Sequence, residues 1–284
     1  MQEIKIIECP RDAMQGVKQW IPTEKKIAYL QSLLRVGYDT LDCGSFVSPK
    51  AIPQMRDTPE VVSRLDLSET NTKLLTIVAN ERGANTACEF EKVTYLGFPF
   101  SISENFQMRN THKTIADSIK TLDYIINISA KHNKKVVVYL SMGFGNPYGD
   151  PWNTEVVLYW TNKLIQMGVN ILSLSDTVGT ANPADIKALF SSLIPAYPAI
   201  EFGAHFHTDL NGWYAKVDAA YAAGCLRFDA VIMGHGGCPM ANDSLVGNLP
   251  TERLISYLNK QKAPMQLNSL HFESAYNFSK KIFL

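Results

Sequence analysis

One pattern recurs along the chain and restricts the folds open to it: an amphipathic stretch, a glycine, then a short β-rich apolar run that ends in polar residues. "KKIAYLQSLLRVGYDTLDC" places Ile27, Leu30, Leu33 and Leu34 at helical spacing, stops at Gly37 and continues into a strand. "WTNKLIQMGVNILSLSD" repeats this around Gly168, and "AKVDAAYAAGCLRFDAVIMG" repeats it around Gly224. "NPADIKALFSSL" opens another helix, with Asn182 as N-cap and Pro183 in its first turn. Strand-like runs fall near residues 3–9, 38–43, 73–79, 93–97, 135–141, 170–175, 201–206 and 229–233. Most are separated by enough chain for one helix, which argues for a parallel sheet with buried strands. About eight such units in roughly 250 residues fit a closed (β/α)₈ TIM barrel better than an open doubly wound sheet. The dinucleotide fingerprint is also missing, since "ECPRDAMQG" stands where a G-x-G-x-x-G would follow the first strand.

No Pro/Ser-rich linker or charge block divides the sequence, so one domain is expected over residues 1–284. The barrel would occupy about 3–262 and a C-terminal helical extension about 263–284. Residues 98–115 read as the longest irregular stretch, above the fourth strand. With 46% hydrophobic residues among 284, the chain can bury a large core. Its 27 basic and 27 acidic residues cancel, which predicts neither a nucleic-acid partner nor a membrane surface. The start, "MQEIKIIEC", runs straight into a strand without the features of a signal peptide, so a soluble cytoplasmic protein is expected. The five cysteines are scattered without C-x-x-C spacing, which argues against a disulfide framework or a structural zinc site.

The barrel reading predicts where the chemistry lies, because active sites in this fold gather at the C-terminal ends of the strands. Arg11 and Asp12 follow the first strand, and Asp42, Cys43 and Ser45 end the second. Asn80 follows the third, Ser141 the fifth, and Asp176 and Thr177 the sixth. "GAHFHTDLNG" supplies His205 and His207 from the seventh, and "GHGGCP", with His235 and Cys238, follows the eighth. A strand has period two, so both histidines project from one face. Neutral imidazoles are common ligands of divalent metals, although an isolated H-x-H also suits an ordinary polar strand end. Asp12 adds a carboxylate, which makes a two-histidine, one-carboxylate site with open positions a sound expectation.

"PRDAMQ", "SFVSPKAIPQM", "SDTVGTANP", "HFHTDLNG" and "GHGGCP" followed by "GNLPTE" occur in this order from about residue 3 to beyond residue 255. Together they resemble the hydroxymethylglutaryl-CoA lyases of the DRE-TIM metallolyase superfamily, and "SFVSPK" with "GGCP" favours that branch over the isopropylmalate and homocitrate synthases. The resemblance implies retro-Claisen cleavage of an acyl-CoA substrate to acetyl-CoA and acetoacetate. It implies a Mg²⁺ or Mn²⁺ ion chelated by the substrate's tertiary hydroxyl and carboxylate, which lowers the hydroxyl pKa. By that resemblance Asp12, His205, His207 and Asn248 match the metal ligands, and the stretch from Cys238 to Asn248 is one residue longer than the family pattern.

The same resemblance has Arg11 face the thioester oxygen and stabilise the departing enolate, with Cys238 in a glycine-flanked loop as a proton donor. Asp42 stands where the family usually has glutamate, and Ala13 where it usually has glycine. Gln15, Asn80, Ser141 and Thr177 are candidate substrate or rim contacts, as are Ser103 and Glu104. A homodimer is also implied. Two other readings stay open: a condensing enzyme or aldolase acting on another acyl-CoA or keto acid at the same metal site, and a catalytically silent barrel kept for binding or assembly.

Overall fold

The computed structural model describes residues 3–209, 211–237 and 246–283. In chain order its elements begin with β1 (Lys5–Glu8), α1 (Pro10–Gln15), α2 (Thr23–Leu34), β2 (Thr40–Ser45), α3 (Thr58–Arg64), β3 (Lys73–Ile77) and α4 (Glu81–Cys88). β4 (Val93–Ser101), α5 (Glu104–Thr111), α6 (Ile115–Lys131), β5 (Lys135–Ser141), α7 (Thr154–Gln166), β6 (Ile171–Asp176) and α8 (Pro183–Ala196) follow. The last are β7 (Glu201–Thr208), α9 (Trp213–Ala222), β8 (Arg227–Ala230), β9 (Gly247–Asn248), α10 (Thr251–Lys260) and α11 (Ser269–Phe283). β1 to β8 pair in parallel, each with the next. The β1–β8 register (Ile7 against Asp229) closes the ring. The result is the (β/α)₈ TIM barrel that the repeating pattern predicts.

Strand alternation separates two apolar layers. One face packs outward against the helices, with Leu74, Phe98, Val138, Leu140, Leu172, Phe206 and Phe228 in the main core. The other face points inward, where Leu75, Ile77, Tyr95, Val137, Tyr139 and Ile171 fill the side of the barrel made by β3 to β6. The opposite side of the interior is polar, and its lower end is held by ion pairs: Arg227 Nη1 reaches Glu201 Oε1 at 2.8 Å, and Lys5 also pairs with Glu201. Gly168 (φ +96°) and Gly224 (φ +93°) take the left-handed conformation that ends their helices, the role their place in the pattern predicts. Asn182 caps α8 by accepting from the Asp185 amide at 2.9 Å, with Pro183 in the first turn.

The structure corrects the reading of residues 98–115. β4 continues to Ser101, and Ser103 then caps α5 by accepting from the Phe106 amide at 3.1 Å. Glu104 accepts from the Ile115 amide at 3.2 Å and ties α5 to α6. The eighth strand also ends earlier than expected, at Ala230, because Met233 (φ +63°) and Gly234 (φ +65°) turn the chain away from the sheet. α11 lies on α2, with Tyr29 edge-on to Phe278 (5.8 Å between centroids) and to Phe283 (6.0 Å). Among the described residues, no helix is long and apolar enough to cross a membrane.

Gly97 sits inside the barrel, where a Cβ would come 2.6 Å from Ile77 Cδ1 and 3.0 Å from Tyr139 Cε2. Gly97→Ala is expected to cost about 1–3 kcal/mol by overpacking, read as a fall in the denaturation midpoint. An unchanged midpoint would mean that the interior repacks freely.

Candidate active site

Pro10 opens α1 directly after β1, so one helical turn presents Arg11, Asp12 and Gln15 at the C-terminal mouth of the barrel. Arg11 is buried between two carboxylates. Its Nε and Nη2 donate to Asp42 Oδ2 at 3.0 and 2.6 Å, and its Nη1 donates to Asp12 Oδ1 at 3.0 Å and Gln15 Oε1 at 2.9 Å. Gln15 Nε2 donates to Asp12 Oδ1 at 2.7 Å, so the side chains of α1 brace one another. Burial opposes the Arg11 charge, but Asp42 and Asp12 outweigh it and hold its pKa above the ordinary value. Burial pushes the Asp42 carboxyl up to about 6 against the pull of Arg11, and its Oδ1 is buried without a hydrogen-bond partner.

Across the mouth, β7 turns His205 and His207 inward. Ligand atoms of Asp12, His205 and His207 all lie within 4.8 Å of one another, the only such trio among the described residues. Each imidazole is oriented through Nδ1: His205 against Asp229 Oδ2 at 3.1 Å, and His207 against the Thr177 carbonyl at 2.8 Å. That leaves both Nε2 atoms as the remaining donors, and His207 Nε2 is buried without a protein partner. Burial opposes the charge on His205, yet Asp229 and then Asp12 raise its pKa overall. Burial and then the neighbouring His205 lower that of His207. Burial acts to raise the Asp12 pKa, but Arg11 and the two histidines overcome it and hold it low. An ionised carboxylate beside two oriented imidazoles is a donor set that divalent cations take.

Asn248 arrives by strand pairing. β9 lies antiparallel to the end of β7 with Asn248 opposite His207, and Asn248 Nδ2 donates to Asp12 Oδ2 at 2.7 Å and to the His235 carbonyl at 2.9 Å. Gly236 (φ +87°) packs beside them, where a Cβ would come 2.8 Å from the Asp12 carbonyl. Thr177 acts here through its carbonyl on His207, while its hydroxyl accepts from the Met142 amide at 2.8 Å. Asp176 accepts from Lys216 Nζ at 2.5 Å, and Lys216 also donates to the His207 carbonyl at 3.0 Å. Ser141 is buried at the end of β5. Asn80 and Ser103 serve as helix caps, Asn80 accepting from the Gly83 amide at 2.8 Å. Cys238 lies outside the described residues.

Sequence reasoning passed over Asp229 and Lys216. Asp229 had a readable signal, an acid within the apolar run "RFDAVI" and two residues after Arg227. Lys216, on the helix after β7, had none. Two cavities of about 440 and 600 Å³ open at the other end of the barrel, around Lys5, Asp39 and Lys73 and around Lys5, Glu201 and Arg227.

The family model described as HMGL-like matches residues 3–278. Hydroxymethylglutaryl-CoA lyase YngG of Bacillus subtilis is 34% identical over 254 residues, 88% of this chain and 83% of the relative. The 3-hydroxy-3-isohexenylglutaryl-CoA/hydroxy-methylglutaryl-CoA lyase of Pseudomonas aeruginosa is 29% identical over 91% of this chain and 85% of its own. Among solved structures, the Bacillus subtilis HMG-CoA lyase superposes with a TM-score of 0.92 at 32% identity, covering 99% of this chain and 94% of the other. An HMG-CoA lyase from Acinetobacter baumannii, in complex with coenzyme A and 3-methylmalate, gives 0.91 at 28% identity, covering 99% and 91%.

Asp229 orients the His205 ring, so Asp229→Asn should weaken divalent-cation binding at this trio, with Mn²⁺ as the probe, by about 10–100-fold while the fold persists. Calorimetric titration of the metal-free protein reads this directly. Unchanged affinity would remove Asp229 from any part in orienting His205.

Proposed function

The chain belongs to the HMGL-like family, and from that premise we propose that it is a divalent-metal-dependent carbon–carbon lyase that cleaves hydroxymethylglutaryl-CoA to acetyl-CoA and acetoacetate. The observation that carries this reading is the convergence of Asp12, His205 and His207 beside a buried, braced Arg11. The donor set fits a divalent cation: one carboxylate and two imidazoles held through Nδ1, with a buried His207 Nε2 that no protein group satisfies; Mg²⁺ or Mn²⁺ is the ion that the family resemblance implies. Asp12, His205 and His207 would hold the ion, with Asn248 as a fourth ligand through its amide oxygen. When bound, the ion supplies Lewis acidity that favours loss of the proton from the substrate's tertiary hydroxyl.

The chain's own residues supply the rest. As that proton passes to solvent water, the carbonyl of acetoacetate forms, the adjacent carbon–carbon bond breaks, and its electron pair passes to the thioester as an enolate. Arg11 faces the thioester oxygen and stabilises the developing negative charge, at no cost in reorganisation because Asp42, Asp12 and Gln15 already fix its guanidinium. Asp42 is read as the residue that positions Arg11. Gln15 braces the Arg11–Asp12 pair from the same helical turn. Cys238 donates the proton that converts the enolate to acetyl-CoA, a role that rests on the family resemblance of its "GHGGCP" motif. By the family resemblance Ser141 and Asn80 belong to the wall around the substrate, Asn80 with its side-chain oxygen already engaged in capping α4.

The decisive assay is acetoacetate release from hydroxymethylglutaryl-CoA by purified protein with Mg²⁺ or Mn²⁺. Release should stop with chelator and in His205→Ala; metal-loaded protein that releases none would overturn the assignment. Arg11→Lys keeps the charge but loses the fork, so kcat should fall by about 10²–10³-fold with a smaller change in KM. A fall confined to KM would instead assign Arg11 to substrate binding.

A further inference from the structure

After β8 the chain turns at Met233 and Gly234, β9 and α10 follow from Gly247 onward, and the two stems, at Ile232 and at Thr251, rest on one buried side chain. Glu8 ends β1 on the strand face opposite Ile7, which alternation directs away from the barrel interior, and it is fully buried. Its Oε1 accepts from the Ile232 amide at 2.8 Å, and its Oε2 accepts from the Thr251 hydroxyl at 2.6 Å. Ile232 lies where the chain departs and Thr251 where α10 begins. The stems are joined there by backbone bonds, Val231 N to the Leu249 carbonyl at 2.9 Å and Thr251 N to the Val231 carbonyl at 3.0 Å.

Beyond these stems, the His235 carbonyl accepts from Asn248, and Asn248 reaches Asp12. Met233, between Ile232 and His235, holds a left-handed backbone (φ +63°) and donates its amide to Glu252 on α10 at 3.0 Å. A left-handed methionine persists only when its surroundings over-determine it. We infer that Glu8 is a positioning residue for the reaction: its two hydrogen bonds fix the stems that hold His235 and Asn248 against Asp12. The inference rests on the reading of Asp12 as part of the catalytic site.

Tyr29 on α2, Tyr38 before β2 and Glu252 on α10 face the carboxyl, and burial pushes its pKa up to about 8. The neutral acid keeps both bonds, one oxygen accepting from Ile232 and its O–H donating to Thr251. Glutamine therefore mimics it, with the amide oxygen and nitrogen in the same two places. The raised pKa also gives a signature independent of activity. Below about 4.5 the acid is protonated in folded and unfolded chains alike, and above that only the unfolded chain ionises until the folded carboxyl follows near 8. The stability that Glu8 withholds therefore grows with pH across this window and is constant above it.

The test uses full-length Glu8→Ala, Glu8→Gln and Thr251→Val, with Mn²⁺ affinity by calorimetry and steady-state kinetics on hydroxymethylglutaryl-CoA, well below each melting temperature. Glu8→Ala should lose about tenfold or more in both kcat and Mn²⁺ affinity through misplacement of the site. Glu8→Gln should stay within about twofold of wild type, and its melting temperature should rise above wild type increasingly from pH 4.5 to 8. Thr251→Val, which removes one of the two bonds, should fall between. Folded Glu8→Ala with wild-type affinity and kcat would overturn the inference. Should Glu8→Ala not fold, wild-type behaviour of Thr251→Val would do the same. A wild-type protein that neither binds Mn²⁺ nor cleaves the substrate would overturn the functional reading and this inference with it, whereas an active wild type with indifferent variants overturns only the latter.

Discussion

The buried charge of Arg11 is the constraint around which the mouth of the barrel is built. A guanidinium removed from water costs several kcal/mol unless carboxylates and hydrogen bonds surround it. Asp42 from β2, with Asp12 and Gln15 from α1, meets that need. Each of these contacts also has a second consequence. Asp12 is pulled toward ionisation, which is the form a metal ligand requires, while Asp42 is left with one unpartnered oxygen. Removing either carboxylate would leave Arg11 under-compensated, so the electrostatics of catalysis and the stability of this part of the barrel are not separable.

The barrel interior is divided accordingly. β3 to β6 contribute an apolar filling of Leu75, Ile77, Tyr95, Val137, Tyr139 and Ile171, whereas β7, β8 and β2 contribute His205, His207, Arg227, Asp229 and Asp42. The apolar half excludes water, and low local dielectric strengthens every polar contact in the other half. Tyr139 meets His205 edge-on at 5.7 Å between centroids, so the boundary between the halves runs through the site itself. His205 and His207 differ in consequence: a carboxylate backs one and a carbonyl the other, and their pKa values move in opposite directions. Rigid orientation of both Nε2 atoms is what a fixed coordination geometry needs.

Strand alternation also explains how a carboxylate outside the barrel can serve a site inside it. Ile7 points in and Glu8 points out from the same strand, and α1 begins two residues later with Arg11 and Asp12 close behind. β1 thus leads into α1 on its inner side and holds the Ile232 and Thr251 stems on its outer side. Pairing of β9 with β7 then completes the arrangement by setting Asn248 opposite His207.

Much of this was legible in the sequence, for local reasons. Helical and strand periodicity, with glycine stops at Gly168 and Gly224, record the preferences of short segments and by themselves determined the eightfold alternation, hence the barrel and the rim that carries Asp12, Asp42, His205 and His207. The H-x-H spacing determined that both imidazoles share a face. What only the tertiary structure decided are pairings between segments distant in the chain. Asp229 became the partner of His205 through the β7–β8 register, Thr177 met His207 through its carbonyl rather than its side chain, and Glu8 found Ile232 and Thr251 more than 200 residues away. Residue type and spacing report which backbone each stretch prefers, but which buried polar group satisfies which other is set by register and closure of the sheet.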